Sequence, residues 1–217
     1  METKLSLAEE LLLLAMNDEK GTVLIRASTA LPYGLAGALL IELVQGGLAR
    51  VEGKALIAEP RGAARDELLD GILEAVRASK KARPIGHWVG KFGRSGGKIK
   101  KRLLAGLVEK RILGLEEGRF LAIFPTTRYP QADPRPEYAL RERVRAVLRG
   151  MSRPDERTAA LISLVHTCEL VGAIFERGER REANKRAKEI GKSQPIGSAV
   201  ARTVQAVRAA VIMAAGS

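Results

Sequence analysis

Residues 35–44 are apolar almost throughout, and a helix over them has no polar face to offer water, so the spacing predicts a buried helix that ends at Gly46-Gly47. A second segment joins it at the centre. In residues 155–175, Leu161, Leu164, Val165, Cys168, Val171 and Phe175 recur at helical spacing, which predicts a central core helix. With 217 residues the chain is long enough for one well-packed domain, and with 46% hydrophobic but only 4% aromatic residues its core must be built mostly from Leu, Ala, Val and Ile. The longest uncharged apolar stretches, 11–16 and 34–41, fall far short of the roughly 20 residues that span a bilayer. No N-terminal stretch has the basic, apolar and small-residue order of a signal peptide. The expectation is a soluble or at most peripheral protein.

Local signals place the other elements. Ser6 followed by Glu9 has the form of a capping box and starts a helix over residues 6–17. Residues 22–25 read as a short strand, and 48–52 with 55–59 as a small hairpin around Gly53-Lys54. Residues 66–79 are helical. The stretch 80–97, rich in glycine and broken by Pro84, predicts a short helix or turn around His87-Trp88-Val89 followed by a loop, and a stronger helix covers 98–110. Residues 112–115, 116–118 and 120–124 follow as strand, turn and strand, a β-hairpin with Glu116 and Glu117 at its tip. After a stiff connection bearing four prolines, helices are expected over 137–148, 155–175, 177–190 and 197–215.

The formal net charge of +12 is not evenly spread. Residues 1–79 are net −4 and residues 112–217 net +6, whereas residues 80–111 carry eleven basic side chains against Glu109 alone, a net +10. Like charges crowded so densely call for an anion, so a polyanionic partner is expected: membrane, nucleic acid or phosphorylated ligand. On the 98–110 helix, Lys98, Lys101 and Arg102 cluster opposite the apolar Ile99, Leu103, Leu104 and Leu107. Lys100 projects from the apolar half at the first turn, where it must snorkel or pair with an anion.

Catalytic and metal chemistry finds little support. His87 and His166 are the only histidines and neither has metal-ligand spacing. Cys168, the only cysteine, lies on an apolar stripe as a small hydrophobe and implies a reducing compartment. The run Gly93-Arg-Ser-Gly-Gly-Lys98 fails as a phosphate loop, because Phe92 and Ile99 stand where glycine and Ser/Thr are needed. No nucleophile and base are nominated, so no enzyme, no cofactor and no metal site is expected.

Five stretches taken in order resemble a known family: residues 5–14 (LSLAEELLLL), 34–43 (GLAGALLIEL), 102–110 (RLLAGLVEK), 120–127 (FLAIFPTT) and 161–166 (LISLVH). Together they are similar to the Golgi phosphoprotein 3 family. That resemblance implies a mainly α, single-domain helical bundle around a central core helix over residues 1–217, with a projecting β-hairpin. It also implies a peripheral membrane protein, not an enzyme, that binds phosphatidylinositol 4-phosphate in a basic pocket and, in eukaryotes, holds glycosyltransferase cargo in the Golgi.

Carried over residue by residue, the family's pocket tryptophan falls near Ala27 beside Arg26, its first arginine on Ala36, and its later pair on Gly97 and Lys100, with Lys98 adjacent. The expected headgroup ligands are therefore Arg26, Arg94, Lys98, Lys100 and Lys101, and the expected membrane contacts are Phe120 and Leu121 of the hairpin. Lysine lacks the bidentate fork of arginine, so headgroup selectivity should be looser. The expected site of action is cytoplasmic, peripheral on the cytoplasmic face of an anionic membrane. Arginine outnumbers lysine 24 to 13 and asparagine occurs twice, which suggests a GC-rich bacterial genome, where a Golgi role does not transfer. Nucleic acid is the leading alternative partner, because helices ahead of a hairpin with a basic helix superficially resemble a winged helix. Against it stand few aromatics and no helix with Asn, Gln or Arg laid out for base edges. An acidic protein partner, a protein cargo and self-association also stay open.

Overall fold

The structure, a computed structural model, describes residues 4–17, 19–64, 66–120 and 124–215. It is mainly helical, as expected: ten α-helices and three small antiparallel sheets appear among the described residues. Helix α1 (Leu7–Leu14) starts where the capping box predicts, with Ser6 Oγ accepting from Glu9 N–H at 3.1 Å and the Glu9 carboxylate accepting from Ser6 N–H at 2.8 Å. All of α1 is buried, including Glu9 and Glu10. Strand β1 (Met16–Asn17) then pairs with β2 (Thr22–Val23), and a single 3-10 turn (Ile25–Ala27) leads to α2.

Helix α2 (Leu31–Gln45) is the apolar segment and the true centre, one turn longer at its start than expected because Pro32 sits in its first turn. It packs against α1, α3 (Glu67–Arg77), α4 (Ile85–Arg94), α5 (Gly96–Glu109), α7 (Glu156–Thr167) and α10 (Pro195–Ala215). Between α2 and α4, β3 (Ala49–Glu52) and β4 (Ala55–Ala58) form the expected hairpin, to which β5 (Arg83–Pro84) adds a short third strand.

Three expectations are corrected. Of the short helix or turn expected around His87-Trp88-Val89, the helix is what forms, but it is longer, α4 over residues 85–94, and α5 follows it after Ser95 where a loop was expected. Their glycines serve contact with α2: a Cβ on Gly93 would lie 2.6 Å from Tyr33 Cε1, and one on Gly96 would lie 2.8 Å from Pro32 Cα. The helix expected over 155–175 is broken. α7 ends at Thr167, Glu169 takes a left-handed φ of 59°, Leu170 N–H returns to Val165 O at 2.9 Å, and a four-residue helix α8 (Val171–Ile174) follows. α7 is nonetheless buried continuously from Thr158 to Val165.

The third correction is the β-hairpin. Its strands are β6 (Glu116–Phe120) and β7 (Phe124–Arg128), paired Glu116↔Arg128 through Phe120↔Phe124. Glu116 and Glu117 therefore stand at the base, not at the tip, and Leu113 belongs to an isolated bridge with Gln131. Helices α6 (Arg135–Leu148) and α9 (Arg180–Gly191) complete the bundle.

Candidate functional site

Helices α4 and α5 meet in an elbow at Ser95, which closes one and opens the other. Its N–H donates to Phe92 O at 2.9 Å, while its carbonyl accepts from Lys98 N–H at 3.0 Å and Ile99 N–H at 3.2 Å. Ile85, Trp88, Val89 and Phe92 of α4 and Ile99, Leu103, Leu104 and Leu107 of α5 face the core. The opposite sides are left to cations by helical periodicity. Arg83 is exposed in β5 just ahead of α4, His87, Lys91 and Arg94 are exposed along α4, and Lys98, Lys101 and Arg102 along α5.

The electrostatics of the elbow register on His87. Its imidazolium is disfavoured first by partial burial of the ring and then by Arg83, Lys91 and Arg94, so its pKa is pushed below the ordinary 6.5. Lys91 lies over the rings of Trp88 and Phe92, with Nζ 5.1 and 5.8 Å from their centroids. That contact holds one cation of the face in place above the core.

Of the eleven cations in residues 80–111, only two form ion pairs among the described residues. Arg102 meets Glu67 at 2.6 Å on the surface, and Lys110 meets the buried Glu9 at 2.6 Å. The other nine have no ion-pair partner among the described residues. Within the block the single acid is Glu109, and both ion pairs use carboxylates from outside it, Glu67 and Glu9.

The structure brings together Arg94, Lys98 and Lys101 on consecutive exposed turns around the elbow. Lys100 is half-buried on the flank of α5 and has no ion pair among the described residues; because α5 begins at Gly96, it sits in the second turn and not the first. Arg26 goes elsewhere. Its Nη1 lies 2.9 Å from where a Cβ on Gly172 would stand, beside Arg180 of α9. Ala27 and Ala36 are fully buried, so the aromatic and arginine positions of the related pocket contribute only core methyls here. The hairpin ends on the pair Phe120↔Phe124, and Leu121 lies outside the described residues.

Reading the glycines as loop signals hid the α4 part of this face. The signal was present: Ile85, Trp88, Val89 and Phe92 follow the i, i+3, i+4, i+7 rule. Among the described residues no helix is long and apolar enough to cross a membrane, and no group of His, Cys, Asp or Glu is arranged to hold a metal ion. The family model for Golgi phosphoprotein 3 (GPP34) matches residues 7–207 of the chain, from the first turn of α1 into the last helix.

Proposed function

The chain belongs to the Golgi phosphoprotein 3 family, and from that premise we propose that it is a non-enzymatic peripheral membrane protein that docks on anionic lipid headgroups through the α4–α5 elbow. The observation that carries this reading is the concentration of exposed cations there without internal counter-ions, Arg94, Lys98 and Lys101 foremost. Each such cation contributes about 1 kcal/mol near an anionic surface. Four or five acting together offset the cost of localising a soluble domain at a bilayer.

The corrected hairpin supports the same reading. Its acidic pair is at the Glu116↔Arg128 end of the paired strands, away from the Phe120↔Phe124 end, and the sequence over 120–124 is Phe-Leu-Ala-Ile-Phe. An uncharged apolar sequence has nothing to oppose insertion next to anionic lipid, and each fully inserted Phe or Leu contributes about 2 kcal/mol. Phosphatidylinositol 4-phosphate is the headgroup that family membership favours. Lysines at the elbow favour charge density over a particular inositol phosphate pattern.

The test is co-sedimentation with neutral, phosphatidylserine-containing and phosphatidylinositol 4-phosphate-containing vesicles, alongside binding to duplex DNA and RNA at the same salt. Binding to both anionic vesicle types, lost on Lys98→Glu with Lys101→Glu and weakened on Phe120→Asp, is expected. Nucleic-acid binding without vesicle binding overturns the reading, and so does vesicle binding that ignores the double reversal.

A further inference from the structure

A cleft of about 870 Å³ opens between the segment before α1, α1 itself, the end of α5 and the first turns of α6 and α7. It lies at the far end of α5 from the elbow, since Lys110 on its rim is roughly 18 Å along the helix axis from Lys98. Its volume is that of a small-molecule site. Nothing in the lipid reading uses it.

Five cations line it: Lys4, Lys110, Arg135, Arg143 and Arg157. Part of that charge answers the buried carboxylates. Lys110 Nζ donates to both oxygens of Glu9 at 2.7 and 2.6 Å, and Arg135 pairs with Asp133 at 2.9 Å. The Glu10 carboxylate, however, serves two guanidiniums at once, Arg143 Nη2 at 2.9 Å and Arg157 Nη2 at 3.4 Å. Arg143 Nε is buried without a hydrogen-bond partner, and Lys4 is exposed with no ion pair among the described residues. Five lining cations face two lining carboxylates, Glu10 and Asp133, and with Lys110 neutralised by Glu9 behind the lining the surplus is +2. Leu5, Ile112, Pro136, Ala139 and Leu140 supply apolar lining between the charges.

We infer that this cleft binds a small amphiphilic phosphate monoester, its head among Lys4, Arg143 and Arg157 and its apolar body along Ala139 and Leu140. A phosphate monoester carries about −1.5 to −2 at neutral pH, which matches the surplus, whereas a carboxylate neutralises half of it. Arg157 Nη2 also donates to Leu5 O at 2.9 Å, but each guanidinium has five N–H donors, so two arginines sharing one carboxylate keep others for the additional oxygens of a phosphate. The apolar lining gives the ester's carbon chain a place that an inorganic ion leaves empty.

Isothermal titration of the full chain with hexyl phosphate, inorganic phosphate and hexanoate, in about 0.15 M salt where exposed charge is screened, separates these ligands. Hexyl phosphate is expected to bind tightest. Lys4→Glu with Arg135→Glu, both exposed positions, should weaken it by about tenfold or more. Ala139→Trp should abolish it by filling the cleft, and unchanged thermal unfolding shows that these variants fold. Lys98→Glu with Lys101→Glu should leave it unaffected, which keeps this site distinct from the elbow. No heat with hexyl phosphate up to about 5 mM overturns the inference. Equal binding of inorganic phosphate, or binding that survives Ala139→Trp, also overturns it.

Discussion

Glu42, inside the central helix, accepts a 2.7 Å hydrogen bond at Oε1 from the backbone N–H of Leu7, the first residue of α1. The two most buried helices of the N-terminal half are thus joined by a carboxyl group. Burial pushes its pKa up to about 7 from an ordinary 4.5, against the opposing effects of the Leu7 N–H and Arg157, and the charges of Asp66 and Glu9 push the same way as burial. The native state therefore holds a proton here that the unfolded chain has already lost. The stabilisation is fully present below about pH 4.5 and is lost as the pH rises through about 7.

Glu42→Gln keeps an acceptor for Leu7 and removes the titration. Urea unfolding of the two proteins should give similar stabilities near pH 5, and near pH 8 the variant should be the more stable by up to about 3 kcal/mol. Parallel stability curves for the two proteins across this range refute the assignment.

Gly96 and Gly97 stand side by side in the first turn of α5 and should respond to alanine in opposite directions. A Cβ on Gly96 would press into Pro32, whereas one on Gly97 meets nothing within 4 Å. Gly96→Ala forces the elbow off α2 and should cost about 1–3 kcal/mol by overpacking. Gly97→Ala should stabilise by about 0.5–1 kcal/mol, since a helical position gains from losing glycine's unfolded-state freedom. Chemical denaturation of both variants is the check, and equal signs would contradict the packing described.

The contrast shows what could be read from the chain and what could not. Signals that act within a few residues were legible: the Ser6/Glu9 capping box and the all-apolar stretch that became α2. The α4 glycines were misread because their meaning depends on Tyr33 and Pro32, some 60 positions earlier in the chain. The hairpin register was not legible because apolar residues run on both sides of Glu116-Glu117, and only the pairing Glu116↔Arg128 through Phe120↔Phe124 puts the two acids at its base. At the site, the basic block was visible as composition. Its division was not: Lys110 is taken by Glu9, which is 101 residues away, and Arg26, expected to join the block from outside it, lies instead beside Gly172 and Arg180.

Lys110 is consequently expected to behave differently from the rest of the block. Glu9 has only 6% of its side chain exposed and relies on Lys110 as its ion-pair partner. Lys110→Met leaves a buried carboxylate whose remaining hydrogen bond among the described residues is from the Ser6 N–H, and it should cost about 2–4 kcal/mol. Lys98→Met and Lys101→Met, which break no ion pair among the described residues, should stay within about 0.5 kcal/mol of the parent. Thermal unfolding distinguishes these outcomes, and a neutral Lys110→Met would show that Glu9 is held by something else.

His87 offers a direct report on what covers the elbow. Its pKa lies low because the ring is partly withdrawn from water and because Arg83, Lys91 and Arg94 repel a fourth positive charge. An anionic surface laid against α4 supplies the missing opposite charge, so the pKa should rise on binding. Binding then takes up a proton and tightens as the pH falls. NMR titration of the His87 imidazole with neutral and with anionic bicelles should move its pKa upward in the anionic sample alone. Vesicle affinity should improve on the order of fivefold between about pH 8 and about pH 5.5, the effect of one added cation at an anionic surface, and His87→Gln should abolish that gain. A His87 resonance that titrates identically with and without anionic bicelles, under conditions where the protein is bound, would place the membrane against another face.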